Sequence, residues 1–457
     1  MAALSGGSAE PARSIARSGA CRYIGVLAAH LPPTRAARVK PSELCRPRRL
    51  HCEEHTNMTE STARKGPLTD IRMIEMGQLI AGPFCGQLFA DMGADVIKVE
   101  PPGTGDPMRE WGRGDYPLWW RVCARNKRVV TANLREPEGQ DLVRRLIAEA
   151  DVVLENFRPG TLERWGLGYE ELSRDKPGLI MVRVSGYGQT GPYSKRAGYA
   201  AIGEAMGGMR YLCGEPDRQP SRTGLSIGDT LAASYACMGA LAAIHHRDRT
   251  GEGQVVDASI YESVLNVMEA TIPEYTVSNH IRERSGATLP GVAPSNIYDC
   301  KDGIFLIAAN QDTVFRRLTE AMGRPELAGD ERFSSHTARG ANMQALDEII
   351  NAWTKTKTMD EIDTLMQEAG VPAGRIYRAP EMLEDPHFKA REAIVDTPTD
   401  DWPDLKMQNI FPKMSKTQGE IRWTGNTTLG AHNEEVYKGI LGLSDEELKD
   451  LESRSII

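Results

Sequence analysis

One acidic residue among small and apolar neighbours is the first feature of this sequence that could do chemistry. The stretch TGLSIGDTLAASYACMGALAA, residues 223–243, places Asp229 directly before a long run rich in alanine. An aspartate here is typical of a helix N-cap, whose carboxylate accepts hydrogen bonds from free N–H groups of the first turn. A carboxylate is also a nucleophile for covalent catalysis. Taken alone, the local pattern favours capping.

Other catalytic motifs have weaker support. The stretch GYGQTG, residues 186–191, fits the G-x-G-x-x-G spacing of a dinucleotide-binding loop. However, Pro192 follows the third glycine, where a helix would have to continue, and the motif follows a late strand of the sheet. His245 and His246 are adjacent near a helix end, which does not favour metal binding. A nicotinamide oxidoreductase therefore stays a minor alternative, and no metal site is predicted.

Basic residues gather around the loops of the first half of the chain. They are Lys98, Arg109, Arg125, Lys127, Arg128, Arg135 and Arg164. We interpret most of them as solvated surface charges. Several near strand ends are also suited to hold a phosphorylated cofactor through charge-assisted hydrogen bonds.

Composition limits the class of protein. The chain has 457 residues and a formal net charge of -8, so we expect two or more packed units and no general binding of nucleic acid. No run of about 18 uninterrupted apolar residues is present, and we expect no membrane span. The eight cysteines form no C-x-x-C pair, which indicates reduced thiols instead of a disulfide framework or a zinc site.

The first 65 residues differ from the rest. Eight arginines and only two acids, Glu10 and Glu43, lie between Met1 and Cys52. This composition is typical of an organelle transit peptide, but it also fits translation from upstream codons with the start at Met58. The first alternative predicts a mitochondrial protein and the second a cytoplasmic one.

Strand-like and helical patterns alternate from residue 70 onward. DIRMIEMG, AGPFCGQLFADMG and DVIKVE begin the series, and RVVTANL, EPEGQDLVRRLIAEA and DVVLENF repeat it. This alternation predicts a large, doubly wound α/β domain over residues 66–270. A smaller α/β domain is predicted over 288–390, with a hairpin that turns at KDG and a helix opened by a capping box at Thr358. Residues 395–457 are expected to return to the large domain.

Ligands of such sheets bind at the carboxyl ends of the strands. The loops that begin at Gly77, Glu100, Asn156 and Ser185 are rich in glycine, proline and polar residues. We therefore expect a binding site among these loops.

Several motifs in fixed order carry a family resemblance. LIAGPFCGQLFADMGADVIKVEPPGTGDPMREWG, ADVVLENFRPGTLERWGLGYEEL and VSGYGQTGPYSKRAGY, together with AGVPAGRIY near residue 370, resemble the class III CoA-transferases. The resemblance runs from about residue 68 to the end. It implies a Rossmann-like fold, an interlocked homodimer, acyl-CoA and a small carboxylic acid as substrates, and no permanently bound cofactor.

The resemblance also assigns residues. It implies that Asp229 is the catalytic nucleophile, with backbone N–H groups at the helix start keeping it ionised. The CoA site falls on Ile80, Ala81, Arg135, Asn156, Phe157 and Arg164.

Two departures from the formyl-CoA transferase pattern matter for the donor. Ile80 stands where that enzyme has a glutamine near its reacting centre, and SGATLPGVAPSNIY stands where it has a glycine run. Formyl-CoA is therefore not expected as donor, and succinyl-CoA is expected by analogy. Glu204 is either a second carboxylate of the pocket or a surface charge. The alternatives that stay open are an α-methylacyl-CoA racemase of the same fold and a non-catalytic CoA-binding protein.

Overall fold

The structure is a computed structural model that describes residues 64–457. The extension predicted for residues 1–65 therefore lies almost entirely outside the described residues.

A six-stranded parallel sheet forms the centre of the larger unit, and its strand order is 3-2-1-4-5-6. The strands are β1 (Arg72–Glu75), β2 (Asp95–Glu100), β3 (Arg128–Thr131), β4 (Val152–Glu155), β5 (Ile180–Ser185) and β6 (Val255–Ser259). Strands β2 and β4 are buried along their whole length. The sequence of β4, VVLE, is almost entirely apolar, whereas the charged residues of β2, DVIKVE, form ion pairs. The predicted doubly wound α/β fold is confirmed.

In the part of the chain that the structure describes, ten helices connect and cover these strands. They are α1 (Pro83–Asp91), α2 (Leu118–Cys123), α3 (Pro137–Ala148), α4 (Thr161–Arg164), α5 (Tyr169–Asp175), α6 (Ala200–Met206), α7 (Met209–Leu212), α8 (Ile227–Thr250), α9 (Ile260–Asn266) and α10 (Thr271–Ser278). Helix α3 covers one face of the sheet with Leu142, Val143 and Leu146, whose spacing forms a single apolar stripe. Helices α1 and α8 cover the other face.

Helix α8 is the crossover between β5 and β6, and its small residues explain how closely it packs. Ala232, Ala236 and Ala240 are fully buried against the sheet and α1. The helix is long and apolar enough to span a membrane by length and composition alone, but these contacts are those of a core helix. Because α8 runs antiparallel to the strands it connects, its first turn lies at the C-terminal edge of the sheet.

The N-cap interpretation of Asp229 is wrong. The helix begins at Ile227, so Ser226 is the flanking residue and Asp229 is the third helical residue. Neither Ser226 nor Asp229 makes a side-chain capping hydrogen bond. The helix therefore begins two residues before Asp229, the boundary that the pattern suggested, and Ile227 and Gly228 already belong to it.

A smaller sheet has its own core. It contains β7 (Ser295–Cys300), β8 (Gly303–Ala308) and β9 (Ala373–Arg375), with helices α11 (Asp312–Ala321), α12 (His336–Ala341), α13 (Met343–Thr354), α14 (Met359–Ala369), α15 (Ala379–Glu384) and α16 (Pro386–Ala390). The predicted hairpin is confirmed, since Cys300 pairs with Gly303 across the turn. The predicted capping box at α14 is also confirmed, with Thr358 and Glu361 bonding each other's backbone.

The C-terminal segment packs on the edge of the large sheet. It contains β10 (Ile394–Asp396), β11 (Lys406–Gln408), α17 (Asn433–Leu441) and α18 (Asp445–Ser453). The Tyr437 hydroxyl donates to the Thr131 carbonyl at 2.7 Å, and the Ile456 carbonyl accepts from the Asn133 N–H at 2.8 Å. These bonds fix the end of β3. The domain boundaries proposed from the sequence stay predictions.

Candidate active site

A cleft of about 710 Å³ opens at the C-terminal edge of the large sheet, beside the reversal of strand order between β1 and β4. We call it the sheet-edge cleft. Its walls come from the loops after β1, β2, β3 and β4, including Gln78, Pro101, Pro102, Gly105, Glu110, Asn133, Arg135, Phe157 and Trp165. Three of the four loops expected from the sequence therefore meet here. The loop that begins at Ser185 does not line this cleft.

The ENF stretch, which begins at the last residue of β4, holds two walls of the cleft in place. The side-chain amide of Asn156 accepts from the Gln78 N–H and donates to the Gln78 carbonyl, both at 2.8 Å. Glu155 accepts from the Phe157 N–H at 2.7 Å and from Arg183 at 2.7 Å. Burial raises the pKa of Glu155 to about 6, although Arg183 opposes the shift. Each residue of the stretch thus fixes a different part of the cleft.

The loop after β1 depends on a buried ion-pair network. Leu79 adopts a positive φ of 62°, and its N–H donates to Asp106 at 3.1 Å. Lys98 lies 2.8 Å from Asp106 and 3.0 Å from Glu75, while Lys127 lies 2.7 Å from Glu75. Attraction to Lys98 outweighs burial and lowers the pKa of Asp106. Removing one partner would leave an uncompensated buried charge, so the network locks the loop.

Five of the seven basic residues noted in the sequence are therefore neither surface charges nor free phosphate ligands. Besides the two buried lysines, three arginines pair with strand or helix carboxylates: Arg109 with Glu100, Arg125 with Asp91 and Arg128 with Asp95, at 2.6, 2.6 and 2.7 Å. The expectation is wrong for these five because acidic residues on adjacent elements face them. Arg135 and Arg164 are the two that remain exposed, and neither forms an ion pair within residues 64–457.

The six residues assigned to CoA binding separate into three groups. Arg135 and Phe157 line the sheet-edge cleft, and Arg164 precedes the cleft residue Trp165. Asn156 supports the cleft, since both ends of its amide are bonded to Gln78. The remaining two, Ile80 and Ala81, are not brought to the surface of the cleft. Their side chains are buried in apolar clusters below it.

The carboxylate of Asp229 occupies an unusual environment. It is half-buried and accepts no hydrogen bond from residues 64–457. Burial raises the pKa of Asp229 to about 6, the Glu204 carboxylate adds to this rise, and Arg222 opposes it. The N–H groups of the helix start, which were expected to hold the Asp229 carboxylate, make no hydrogen bond to it, and this part of the expectation is wrong. The acid is instead held with a raised proton affinity and with its oxygens uncommitted.

Glu204 belongs to the surroundings of Asp229 and is not a surface charge. Its side chain is 1% exposed. One oxygen accepts from the Gly228 N–H at 3.3 Å, and the other lies 2.8 Å from Nε of Arg210. Of the two alternatives for Glu204, the structure supports a second carboxylate beside the candidate nucleophile.

The GYGQTG loop does not have the geometry of a dinucleotide site. It follows β5, and the next helix begins only at Ala200, well beyond Gly191. Gly186 packs directly against Gly198, and the Gln189 N–H donates to Asp257 at 2.8 Å. The glycines thus allow close backbone packing that leads the chain to α6 and Glu204.

Sequence reasoning placed the loop that begins at Glu100 in the binding site but singled out none of its cleft residues. Pro101, Pro102 and Gly105 follow β2 in this loop, in the stretch EPPGTGDP. Trp165 was not predicted to line the cleft. It packs edge-on against Phe157, with 5.3 Å between ring centroids, and forms an aromatic wall.

Comparisons with known proteins agree with this fold and site. A family model described as CoA-transferase family III matches residues 68–433, and the chain belongs to this family. The succinyl-CoA–D-citramalate CoA-transferase of Chloroflexus aurantiacus is 58% identical over 395 residues, covering 86% of this chain and 98% of the relative. The succinate–glutarate CoA-transferase of Agrobacterium fabrum is 38% identical and covers 75% and 88%. A CAIB/BAIF family structure from Brucella suis has a TM-score of 0.73 at 35% identity, covering 82% of this chain and 100% of that one.

The family resemblance inferred from the motifs is thereby confirmed, and the protein is a CoA-transferase with CoA thioesters as substrates. The racemase alternative is not favoured, because these relatives are CoA-transferases.

Proposed function

We propose that this enzyme transfers CoA from succinyl-CoA to a short dicarboxylic acid such as citramalate, with Asp229 as the nucleophile. The names of the relatives support the substrates, since succinate and citramalate or glutarate are all dicarboxylic acids. The assignment of the nucleophile rests on the Asp229 carboxylate, which forms no hydrogen bond or ion pair with the rest of residues 64–457. By contrast, the buried acids Glu75, Asp106 and Glu155 are all engaged by cations.

The chemistry proceeds by successive acyl exchanges on Asp229. The carboxylate attacks the thioester carbonyl of succinyl-CoA, the C–S bond breaks, and CoA leaves as thiolate from a succinyl-aspartyl anhydride. The thiolate attacks the aspartyl carbonyl, which releases succinate and leaves CoA in thioester linkage to Asp229. The acceptor carboxylate then displaces CoA to form a second anhydride. Attack of the thiolate on the acceptor carbonyl gives the new CoA ester and restores Asp229.

The fold supports this sequence because both parts of the site lie at one sheet edge. The sheet-edge cleft follows β1 to β4, and the first turn of α8 lies beside Ile260, just past the end of β6. We propose that Arg135 and Arg164 meet the phosphates of CoA, with Phe157 and Trp165 as an apolar wall. A raised pKa makes Asp229 a stronger base, and hence a stronger nucleophile, than an ordinary carboxylate.

The transfer itself tests the proposal. Full-length enzyme with succinyl-CoA and citramalate should form citramalyl-CoA, measured by mass spectrometry. Replacing Asp229 with Ala should lower the rate by at least about a thousandfold, because the neighbouring Glu204 carboxylate is already bound to Arg210 and to the Gly228 N–H. The matched control is Asp217→Ala, an exposed acid that precedes the same helix and should keep full activity. Transfer at the normal rate by Asp229→Ala would disprove the assignment of the nucleophile.

The activity should depend on pH through Asp229. Because only the ionised acid attacks, kcat/KM should fall as the pH drops through about 6, the pKa of Asp229. Glu204→Gln removes a charge that raises this pKa, so the acidic limb should move to lower pH. Glu252→Gln, an exposed acid beyond the other end of α8, serves as control and should leave the profile unchanged. If the acidic limb of Glu204→Gln stayed at the wild-type pH, this result would contradict the proposal that Glu204 raises the pKa of Asp229.

We further propose that the enzyme is a homodimer. Among the exposed large hydrophobic side chains of residues 64–457, more than half lie within residues 199–289. Helix α10 buries no residue in the single chain although it carries Ile272, Tyr275 and Val277. A second copy covering this region would remove that apolar surface from water. Light scattering should give twice the mass of the chain, with dissociation in Ile272→Asp but not in Phe411→Asp. A monomeric wild-type enzyme would contradict the proposal.

A further inference from the structure

Two arginines lie near Asp229, and only one of them has its charge matched. Arg210 lies 2.8 Å from the buried Glu204 carboxylate and is committed to it. Arg222 is exposed and forms no ion pair within the part of the chain that the structure describes. Its recorded side-chain hydrogen bond is a long one, 3.4 Å, to the hydroxyl of Ser226.

The position of Ser226 places Arg222 beside the candidate nucleophile. Ser226 flanks the start of α8 and Asp229 is three residues later, the spacing at which two side chains share one face of the first turn. A guanidinium that reaches Ser226 therefore lies over the face that carries Asp229. The attraction of Arg222 for the Asp229 carboxylate, which opposes the rise in its pKa, agrees with this placement.

Charge balance explains why a cation is needed here. A dicarboxylic acid bound to Asp229 through one end brings a second carboxylate to a site where Arg210 is already committed to Glu204. Without a cation, this negative charge would be repelled. An arginine presents a planar fork of donors that matches a carboxylate, and Arg222 has no acidic partner to give up among residues 64–457.

We propose that Arg222 binds the distal carboxylate of the acyl group and thereby selects dicarboxylic over monocarboxylic substrates. The inference rests on the proposed function. Donor and acceptor acyl groups occupy the same bond to Asp229 in turn, so a single Arg222 serves both. The substrate class is therefore short dicarboxylic acids and their CoA esters.

The test compares two donors that differ at this group alone. Succinyl-CoA carries a distal carboxylate where butyryl-CoA carries a methyl group. In Arg222→Gln, kcat/KM for succinyl-CoA should fall about 10- to 100-fold, the scale of a lost charge-assisted hydrogen bond, while butyryl-CoA changes less than about twofold. Where butyryl-CoA turnover is too slow to measure, its inhibition constant against succinyl-CoA replaces kcat/KM. Arg222→Lys should restore part of the preference.

Arg218→Gln is the matched control, since Arg218 is an exposed arginine of the same segment. It should leave the preference unchanged. Equal losses for both donors in Arg222→Gln, or no loss for either, would overturn the inference while leaving the CoA-transferase proposal intact. A wild-type enzyme that shows no transfer from succinyl-CoA would instead overturn the proposed donor itself, so the two failures are distinguishable.

Discussion

The uncommitted carboxylate of Asp229 is the constraint on which the rest of the site depends. A half-buried acid without hydrogen-bond donors is costly, and most acids at this edge of the sheet avoid that cost by pairing with lysine or arginine. Asp229 is held in place by its helix, which packs through alanines against the sheet. The free energy gained by packing α8 against the sheet thus offsets the cost of half-burying the Asp229 carboxylate without hydrogen bonds.

Topology explains why two separate sequence regions serve one reaction. The sheet-edge cleft arises where the strand order reverses, and α8 begins at the same edge because it connects two parallel strands. The buried network of Glu75, Lys98 and Asp106 then fixes the loop after β1. Its charges are used to shape the cleft and are not available for binding phosphates.

The order of strands and helices could be predicted because parallel strands read as apolar runs and their helices as amphipathic stretches. The hairpin at KDG and the capping box at Thr358 have local signals of the same kind. The start of α8 could not be placed, because Ser226 and Asp229 are both acceptable boundary residues. Asp229 itself was assigned by family resemblance, and its local pattern pointed to capping.

The roles of the charged residues could not be predicted, because partners distant in sequence decide them. Lys98, within β2, is neutralised by Glu75 and Asp106, whereas Arg135, beyond the end of the neighbouring strand β3, stays exposed. Burial of Glu204 likewise depends on Gly228, which is 24 positions away. Only the packed structure separates a structural arginine or lysine from one that is free to meet a ligand.

The most direct test of this account is to trap the acyl-enzyme. Full-length enzyme is mixed with succinyl-CoA without acceptor and then quenched with hydroxylamine. Hydroxylamine converts an activated aspartyl carbonyl to a hydroxamate. The peptides are then sequenced by mass spectrometry. The account predicts a hydroxamate on Asp229 that requires succinyl-CoA. A modification confined to another residue, or none in enzyme that still transfers CoA, would contradict it.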